Sequence, residues 1–340
     1  MQILELTDDR REAWDAYVRG HDAGTFFHLS AWEPIVRQAG GHRTHYLMAV
    51  DGNRVQGVLP LAHVRSRLFG NALVSLPFCV YAGAIADDEP TRSALEDAAS
   101  GLGRGLAVDW VEFRNVVDAG TGRPQKQLHA RFRKPLPASD EALLIGIPGK
   151  QRSVVRKAML AGLICREIDD VDEFYALYAL SMRNLGTPVF PRDLFQRLRR
   201  AFPRACRVLG VYKGERCLAA VLSFYHCDEV HPYYVGVRPE SRRLRAQDFL
   251  YWELMRRSVA EGMKIFDFGR SKIDTGAYHY KRHWGFEPEP LHYEYELIGS
   301  ASVPDVNPLN PKYRLFIAGW KRLPLFVSKL IGPHLARNLG

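Results

Sequence analysis

The run Phe266-Asp267-Phe268-Gly269-Arg270-Ser271, followed by Lys272, Gly276, Tyr278, Tyr280, Lys281 and Trp284-Gly285-Phe286, gathers fixed charges, glycines and aromatic rings that a packed core alone does not need. That mixture suits the wall of an enzyme active site. A strand from Lys264 to Phe268 would put Ile265 and Asp267 on one face and Phe266 and Phe268 on the other. Asp267 is then either buried with a partner or aimed into a cleft. Gly269 permits a sharp exit or a close backbone approach, and Arg270 offers a planar fork for a carboxylate or phosphate. A buried Asp267–Arg270 tether is the equally open structural reading. Beside Arg270 the Asp267 carboxyl would be depressed and a weak base, so orientation is its expected task. Asp274 is the other acid placed to take a proton from an attacking amine or hydroxyl.

The elements that must hold these residues show a duplication. Residues 49–59, Ala-Val-Asp-Gly-Asn-Arg-Val-Gln-Gly-Val-Leu, match residues 211–221, Val-Tyr-Lys-Gly-Glu-Arg-Cys-Leu-Ala-Ala-Val, with Gly52 on Gly214 and Arg54 on Arg216. Each reads as a β-hairpin with a tight turn. Upstream, the helical pattern 9–18 parallels 172–184, and Ser30-x-x-Glu33 has the form of a capping box. Downstream, Asp109–Asn115 parallels Lys264–Arg270, which sets Glu112 opposite Asp267. A period near 160 residues means a duplicated domain rather than a solenoid. Each copy reads as a mixed sheet with helices on its faces.

At 340 residues, with 46% hydrophobic and 25% charged residues, the chain is an ordinary folded protein of two-domain size. The N-terminus is acidic and lacks an apolar signal core, and no segment reaches the ~20 apolar residues that cross a bilayer. Five scattered cysteines read as reduced thiols, which places the protein in the cytoplasm. Cys227 follows His226, but neighbours in a strand face opposite sides and make a poor dyad. No HExxH, CxxC or clustered His/Asp pattern points to a metal. Residues 1–145 carry 16 Lys and Arg against 18 Asp and Glu, the remainder 31 against 20. The basic half should face anions.

A duplicated unit of this order resembles tandem GNAT-like acyltransferase domains of the FemAB superfamily. The elements Phe268-Gly-Arg-Ser271, Gly276, Tyr280-Lys281 and Trp284-Gly-Phe286, then Pro288, Pro290-Leu291 and Tyr293, are similar to its FemAB-related branch associated with PEP-CTERM/exosortase and exopolysaccharide systems. The resemblance covers residues 1–300. It implies an α/β (α+β) fold with two tandem GNAT-like domains, 1–140 and 141–300, each a mixed, mostly antiparallel sheet flanked by helices. A basic amphipathic tail, 301–340, follows, with Pro304, Pro308 and Pro311 at the junction. The implied activity is acyl or aminoacyl transfer to an amine or hydroxyl of a cell-wall (peptidoglycan) or exopolysaccharide precursor. Aminoacyl-tRNA or acyl-CoA would be the co-substrate, and no cofactor would be tightly bound.

The resemblance also assigns roles. Lys281 would stabilise the oxyanion, with Asp267 and Arg270 completing the catalytic set; an exposed lysine over an aromatic patch is the alternative. Arg270 and Lys272 would hold a phosphate. Tyr278, Tyr280 and Trp284 would wall a sugar or acyl group, or else close the core. Where an acetyl-CoA enzyme places a glycine-rich turn, this chain has Arg242-Arg-Leu-Arg-Ala-Gln247. Side chains there obstruct backbone approach to a pyrophosphate, leaving Arg242, Arg245 and Gln247 to bind donor phosphates directly. Lys150, Arg152, Arg156 and Lys157 offer a further phosphate contact or a solvated basic face. Phe27, His28 and Trp32 would line an acceptor pocket, although His28 taken alone reads as a structural hydrogen-bonding residue.

From Pro311 to 335 the chain mixes basic and bulky apolar residues without an acid, interrupted by Pro324. Such a segment either lies on the inner, anionic membrane surface or docks back on the domains. Other readings stay open: a non-catalytic glycan- or lipid-binding accessory protein of exopolysaccharide assembly, an acyl-CoA-dependent N-acetyltransferase, and a tRNA-binding protein.

Overall fold

The computed structural model describes residues 1–66, 70–303 and 311–337, which divide into two compact units. The first comprises Met1–Leu128 with a segment returning from Pro290; the second comprises His129–Glu289 and the C-terminal helices.

In the first unit, β1 (Gln2–Glu5), β2 (Arg43–Asp51), β3 (Arg54–Ser66), β4 (Gly70–Val74) and β6 (Trp110–Asn115) form the body of one sheet, with β5 (Ile85–Ala86) on the side of β3 and β7 (Gln125–Lys126) at the far edge. Helices α1 (Arg11–Gly20), α2 (Trp32–Ile35) and α3 (Glu89–Gly105) belong to this unit. α1 buries Trp14 and Val18, four apart on one face. α3 begins where Asp88 accepts the backbone N–H of Thr91 and Pro90 occupies the first turn.

In the second unit the strands are β8 (His129–Pro135), β9 (Ile164–Glu167), β10 (Cys206–Lys213), β11 (Arg216–His226), β12 (Glu229–Val237), β13 (Ile265–Lys272) and β14 (Pro288–Pro290), in spatial order β14-β8-β13-β12-β11-β10-β9. The helices are α4 (Asp140–Gly146), α5 (Gly149–Met159), α6 (Val171–Leu185), α7 (Arg192–Ala201), α8 (Ser241–Leu244), α9 (Ala246–Ala260), α10 (Gly276–His283), α11 (Pro311–Trp320) and α12 (Leu325–Ala336). The core joins Phe132, Phe266, Phe268, Trp284 and Phe286 to Val155, Leu250 and Trp252 from the helices.

The duplication holds in detail. Gly52 and Gly214 both turn at φ +57, and the β2–β3 and β10–β11 ladders shift register between Ala49/Val50 and Val211/Tyr212, equivalent positions of the repeat. In both units the registered pairings are antiparallel except one, β4–β6 in the first and β12–β13 in the second.

The pairing moves both expected boundaries. β8, read as part of domain 1–140, pairs with β13 from Ile265↔Pro135 to Lys272↔His129. The last strand, β15 (His292–Leu297), read as part of 141–300, pairs instead with β6 from His292↔Asn115 to Leu297↔Trp110. Alternation marks a strand but says nothing about which open edge its backbone will satisfy. Ser30-x-x-Glu33 is not a capping box: Glu33 is buried and accepts from Arg11 at 2.8 Å and from Thr44 at 2.7 Å. The reciprocal box lies earlier, between Thr25 and His28. Pro304 and Pro308 lie outside the described residues, and Pro311 opens a helix rather than closing a domain.

Candidate functional site

β12 and β13 run parallel but pair only through Glu229↔Ile265 and Val230↔Phe266. Past that point β13 keeps its other neighbour, β8, with a register shift between Asp267 and Arg270. The shift is a bulge centred on Gly269, whose φ of +69 lies in the left-handed region. Two side chains hold it. Asp267 curls back so that its Oδ1 accepts the Gly269 N–H at 2.6 Å. From α10, whose first turn is capped by Thr275, Lys281 Nζ donates to the carbonyls of Gly269 at 3.0 Å and Arg270 at 2.9 Å. The ammonium also lies 5.3 Å from the Phe132 ring centroid.

Glycine is required here twice over, since a Cβ on Gly269 would meet His231 Nε2 at 2.7 Å. Gly269→Ala is therefore expected to destabilise the protein by ~1–3 kcal/mol, from left-handed strain plus this clash, as read by urea denaturation.

The parallel register brings Glu229 and His231 of β12 to the side of Asp267, and one ligand atom of each lies within 4.8 Å of the others. The sequence holds no clustered His/Asp pattern, and it is the strand pairing that gathers these three side chains. His231 and Asp267 are 36 positions apart in the chain, and only the tertiary pairing joins them. Burial pushes the Asp267 carboxyl up, against the Gly269 N–H, Arg131, Glu229 and Lys281. Burial also raises Glu229, with the Asp267 charge adding to it and Arg133 opposing. The depressed carboxyl expected at Asp267 is thus reversed, because removal from water outweighs the nearby cations.

His231 is 5% exposed and burial lowers it to about 3, so its imidazole is neutral at ordinary pH. Lys281 falls to about 7, chiefly by desolvation, with Asp267 opposing and Arg270 reinforcing. Arg133 donates twice to Glu229 Oε2, at 3.0 and 2.9 Å, and Arg131 acts on Asp267. Positive charge is already supplied from two sides, so the arrangement suits a shared proton better than a bound cation.

The other expected residues divide between this neighbourhood and elsewhere. Arg270 and Lys272 continue β13 beyond the bulge, half-buried, opposite Arg131 and His129. Tyr278 sets its ring edge-on to Phe132 at 5.2 Å. Tyr280 donates its hydroxyl to Asp248 Oδ1 at 3.0 Å, which also accepts from Gln151 at 2.7 Å, tying α10 to α9 and α5. Asp274 is exposed in the turn before α10, at φ +60.

Trp284 is a correction: at 1% exposed it belongs to the core with Tyr251, Phe268 and Phe286, and cannot wall a ligand. Phe27, His28 and Trp32 are likewise 1%, 2% and 0% exposed in the first unit, not a pocket lining. His28 Nδ1 accepts from the Thr25 N–H and its Nε2 faces the Gly83 carbonyl at 2.9 Å, a structural cap.

α5 packs through Gln151, Val155 and Ala158 and leaves Lys150, Arg156 and Lys157 exposed, with Arg152 half-buried. No ion pair involves these four among the described residues. Arg242, in α8, and Arg245, just before α9, are exposed, and Gln247 hydrogen-bonds Tyr251. Arg245 takes φ +57 immediately before α9, a conformation that glycine would adopt without strain.

The equivalent place in the first unit is closed. β4 and β6 pair through Val74↔Glu112 and stay joined beyond it, Ser75 N–H donating to Glu112 O at 2.8 Å and Arg114 N–H to Ser75 Oγ at 2.6 Å. Arg114, in the position of Gly269, is 2% exposed; it bonds Glu112 at 2.8 Å and the carbonyls of Leu76 and Cys79 at 3.1 and 2.6 Å. A buried, fully engaged arginine thus fills the crevice that the second unit leaves at a glycine.

Residues 150–282, inside the second unit, match the family model described as an acetyltransferase (GNAT) domain. A search of curated proteins finds no match. Among solved structures, FemX superposes with a TM-score of 0.69 at 14% identity, over 88% of this chain and 98% of that one. The C-terminal domain of a putative lysylphosphatidylglycerol synthetase from Agrobacterium fabrum gives 0.56 at 13% identity, over 84% and 91%. A tandem GNAT protein from the clavulanic acid biosynthesis pathway gives 0.54 at 13% identity, over 88% and 99%. Identities this low speak for fold alone, and the fold is one of two tandem GNAT-like units, the second of which contains the stretch that matches the acetyltransferase (GNAT) domain.

Proposed function

We propose that this chain is an acyltransferase that moves an acyl or aminoacyl group to an amine or hydroxyl of a cell-wall or exopolysaccharide precursor, in the manner of FemAB-related proteins of PEP-CTERM systems. The observation that carries the reading is the parting of β12 from β13, with the Gly269 bulge, the Lys281 ammonium and the Asp267–Glu229 carboxyl pair at the fork. An extended acyl donor would enter where β12 and β13 cease to pair with each other, past Val230 and Phe266.

In this mechanism the acceptor nitrogen or oxygen attacks the donor carbonyl carbon directly. The new bond forms as the tetrahedral oxyanion develops, and its collapse breaks the donor's thioester or ester bond. Lys281, when protonated, stabilises the oxyanion. The acceptor's proton passes to the raised carboxyl pair, a better base here than a depressed carboxylate. The carboxyl pair then returns that proton to the leaving thiolate or alkoxide. No enzyme-bound acyl intermediate is invoked. Exposed Arg242, in α8, and Arg245, between α8 and α9, would bind a phosphate-bearing donor, acyl-CoA or aminoacyl-tRNA.

The test is to incubate purified protein with acyl-CoA and aminoacyl-tRNA pools and nucleotide- or lipid-linked glycan precursors, following masses by liquid chromatography. Acceptor mass should rise by one acyl group as free CoA thiol or deacylated tRNA appears. Glycan binding with no donor consumed would point instead to an accessory protein. Loss of salt-sensitive tRNA binding in filter assays would remove tRNA as donor.

A further inference from the structure

The two C-terminal helices each spend one face on the second unit. In α12, Ser328, Gly332 and Ala336 are buried at four-residue spacing, and a Cβ on Gly332 would meet Val189 Cγ1 at 2.9 Å and its backbone nitrogen at 3.0 Å. In α11, Trp320 is 3% exposed and Ile317 lies against Gly186. The segment thus docks, as one of the two sequence expectations has it. Pro324 divides it, leaving its carbonyl to accept the Ser328 N–H at 3.1 Å.

Docking accounts for only half of its apolar side chains. Leu315, Phe326 and Leu330 are 84%, 73% and 69% exposed. Each sits two positions from a docked residue, Ile317 or Ser328, and two residues are ~200° of helix rotation, so these three point away from the unit. Lys321 and Arg322 are exposed in the break between the helices. From 311 to 337 the sequence holds Lys312, Arg314, Lys321, Arg322, Lys329 and Arg337 and no Asp or Glu. Bulky apolar groups projecting from an acid-free, basic segment complement a surface that is apolar beneath and anionic on top. Neither helix is long enough to cross a bilayer: among the described residues no helix is long and apolar enough.

We propose that α11 and α12 form a platform by which the second unit rests on an anionic phospholipid bilayer, with Leu315, Phe326 and Leu330 inserted at headgroup depth and Lys321 and Arg322 on lipid phosphates. The platform is independent of the acyl-transfer reading and survives its failure.

The test uses the full chain and sedimenting vesicles, either neutral phosphatidylcholine or the same with about a third phosphatidylglycerol. Binding should favour the anionic vesicles and weaken as salt rises. The Leu315→Ser/Phe326→Ser/Leu330→Ser variant should lose binding at least about tenfold with an unchanged melting temperature, because all three side chains are exposed. Lys321→Glu/Arg322→Glu should abolish the preference for anionic lipid. Absence of vesicle binding, or binding indifferent to both variants, overturns the proposal. So does a wild-type dimer in ultracentrifugation that the triple variant dissociates without any vesicle binding, which would make the face a contact between copies.

Discussion

Lys281→Met is expected to slow acyl transfer by ~10²–10³ while leaving the fold intact, the loss that follows removal of one well-placed oxyanion donor. Methionine keeps the length of the side chain among Phe132 and Phe268 but gives up the charge and the bonds to the Gly269 and Arg270 carbonyls. Because burial brings the Lys281 ammonium to about 7, two pH effects follow with opposite sign. The catalytic form is protonated, so the rate falls as pH rises through about 7, and the variant lacks that limb.

Stability runs the other way. The unfolded lysine titrates near ~10.4 and holds a proton that the folded one releases above about 7, so stability gains up to ~1.4 kcal/mol per pH unit between the two. This contribution is fully present above the unfolded value and is lost as pH falls to about 7. Urea titrations at a series of pH values measure the slope, and wild type and variant should differ in it. A variant with unchanged rate at pH 6.5 would leave Lys281 only the task of bracing the bulge.

Trp284→Ala should cost ~3–5 kcal/mol, a large share of the ~5–15 kcal/mol that holds a typical domain together. The ring is 1% exposed and meets Tyr251 and Phe268 at 6.3 and 6.4 Å, so its loss leaves a cavity rather than an open wall. The same change would loosen α10 and with it the ammonium of Lys281, three residues earlier on that helix. Denaturant unfolding decides the point. If Trp284 lined a sugar site, the midpoint would hardly move and only acceptor KM would rise.

The parts legible in the sequence are those encoded by local pattern. The duplicated hairpins, down to the glycines at Gly52 and Gly214, follow from turn chemistry and alternation within about ten residues. The Gly269, Arg270 and Lys281 neighbourhood was legible as well, because the sequence there keeps charges and glycines that packing does not require. The exchange of β8 and β15 between sheets was not, since an edge strand carries no sign of the edge it will complete. Nor could Trp284 be told from a binding-site tryptophan: a large ring on an amphipathic stretch looks the same from either side until its burial is known.

What the sequence by itself determined is the repeat and the sheet-and-helix units, both properties of residue type at short range. Tertiary structure alone decided the acid–base character of the site. Glu229 and His231 reach Asp267 only because β12 and β13 pair in parallel register, and the burial of Asp267 itself reverses the expected shift of its carboxyl. Proton affinity depends on the water and charges around a group, and those are set by strands brought together from distant parts of the chain.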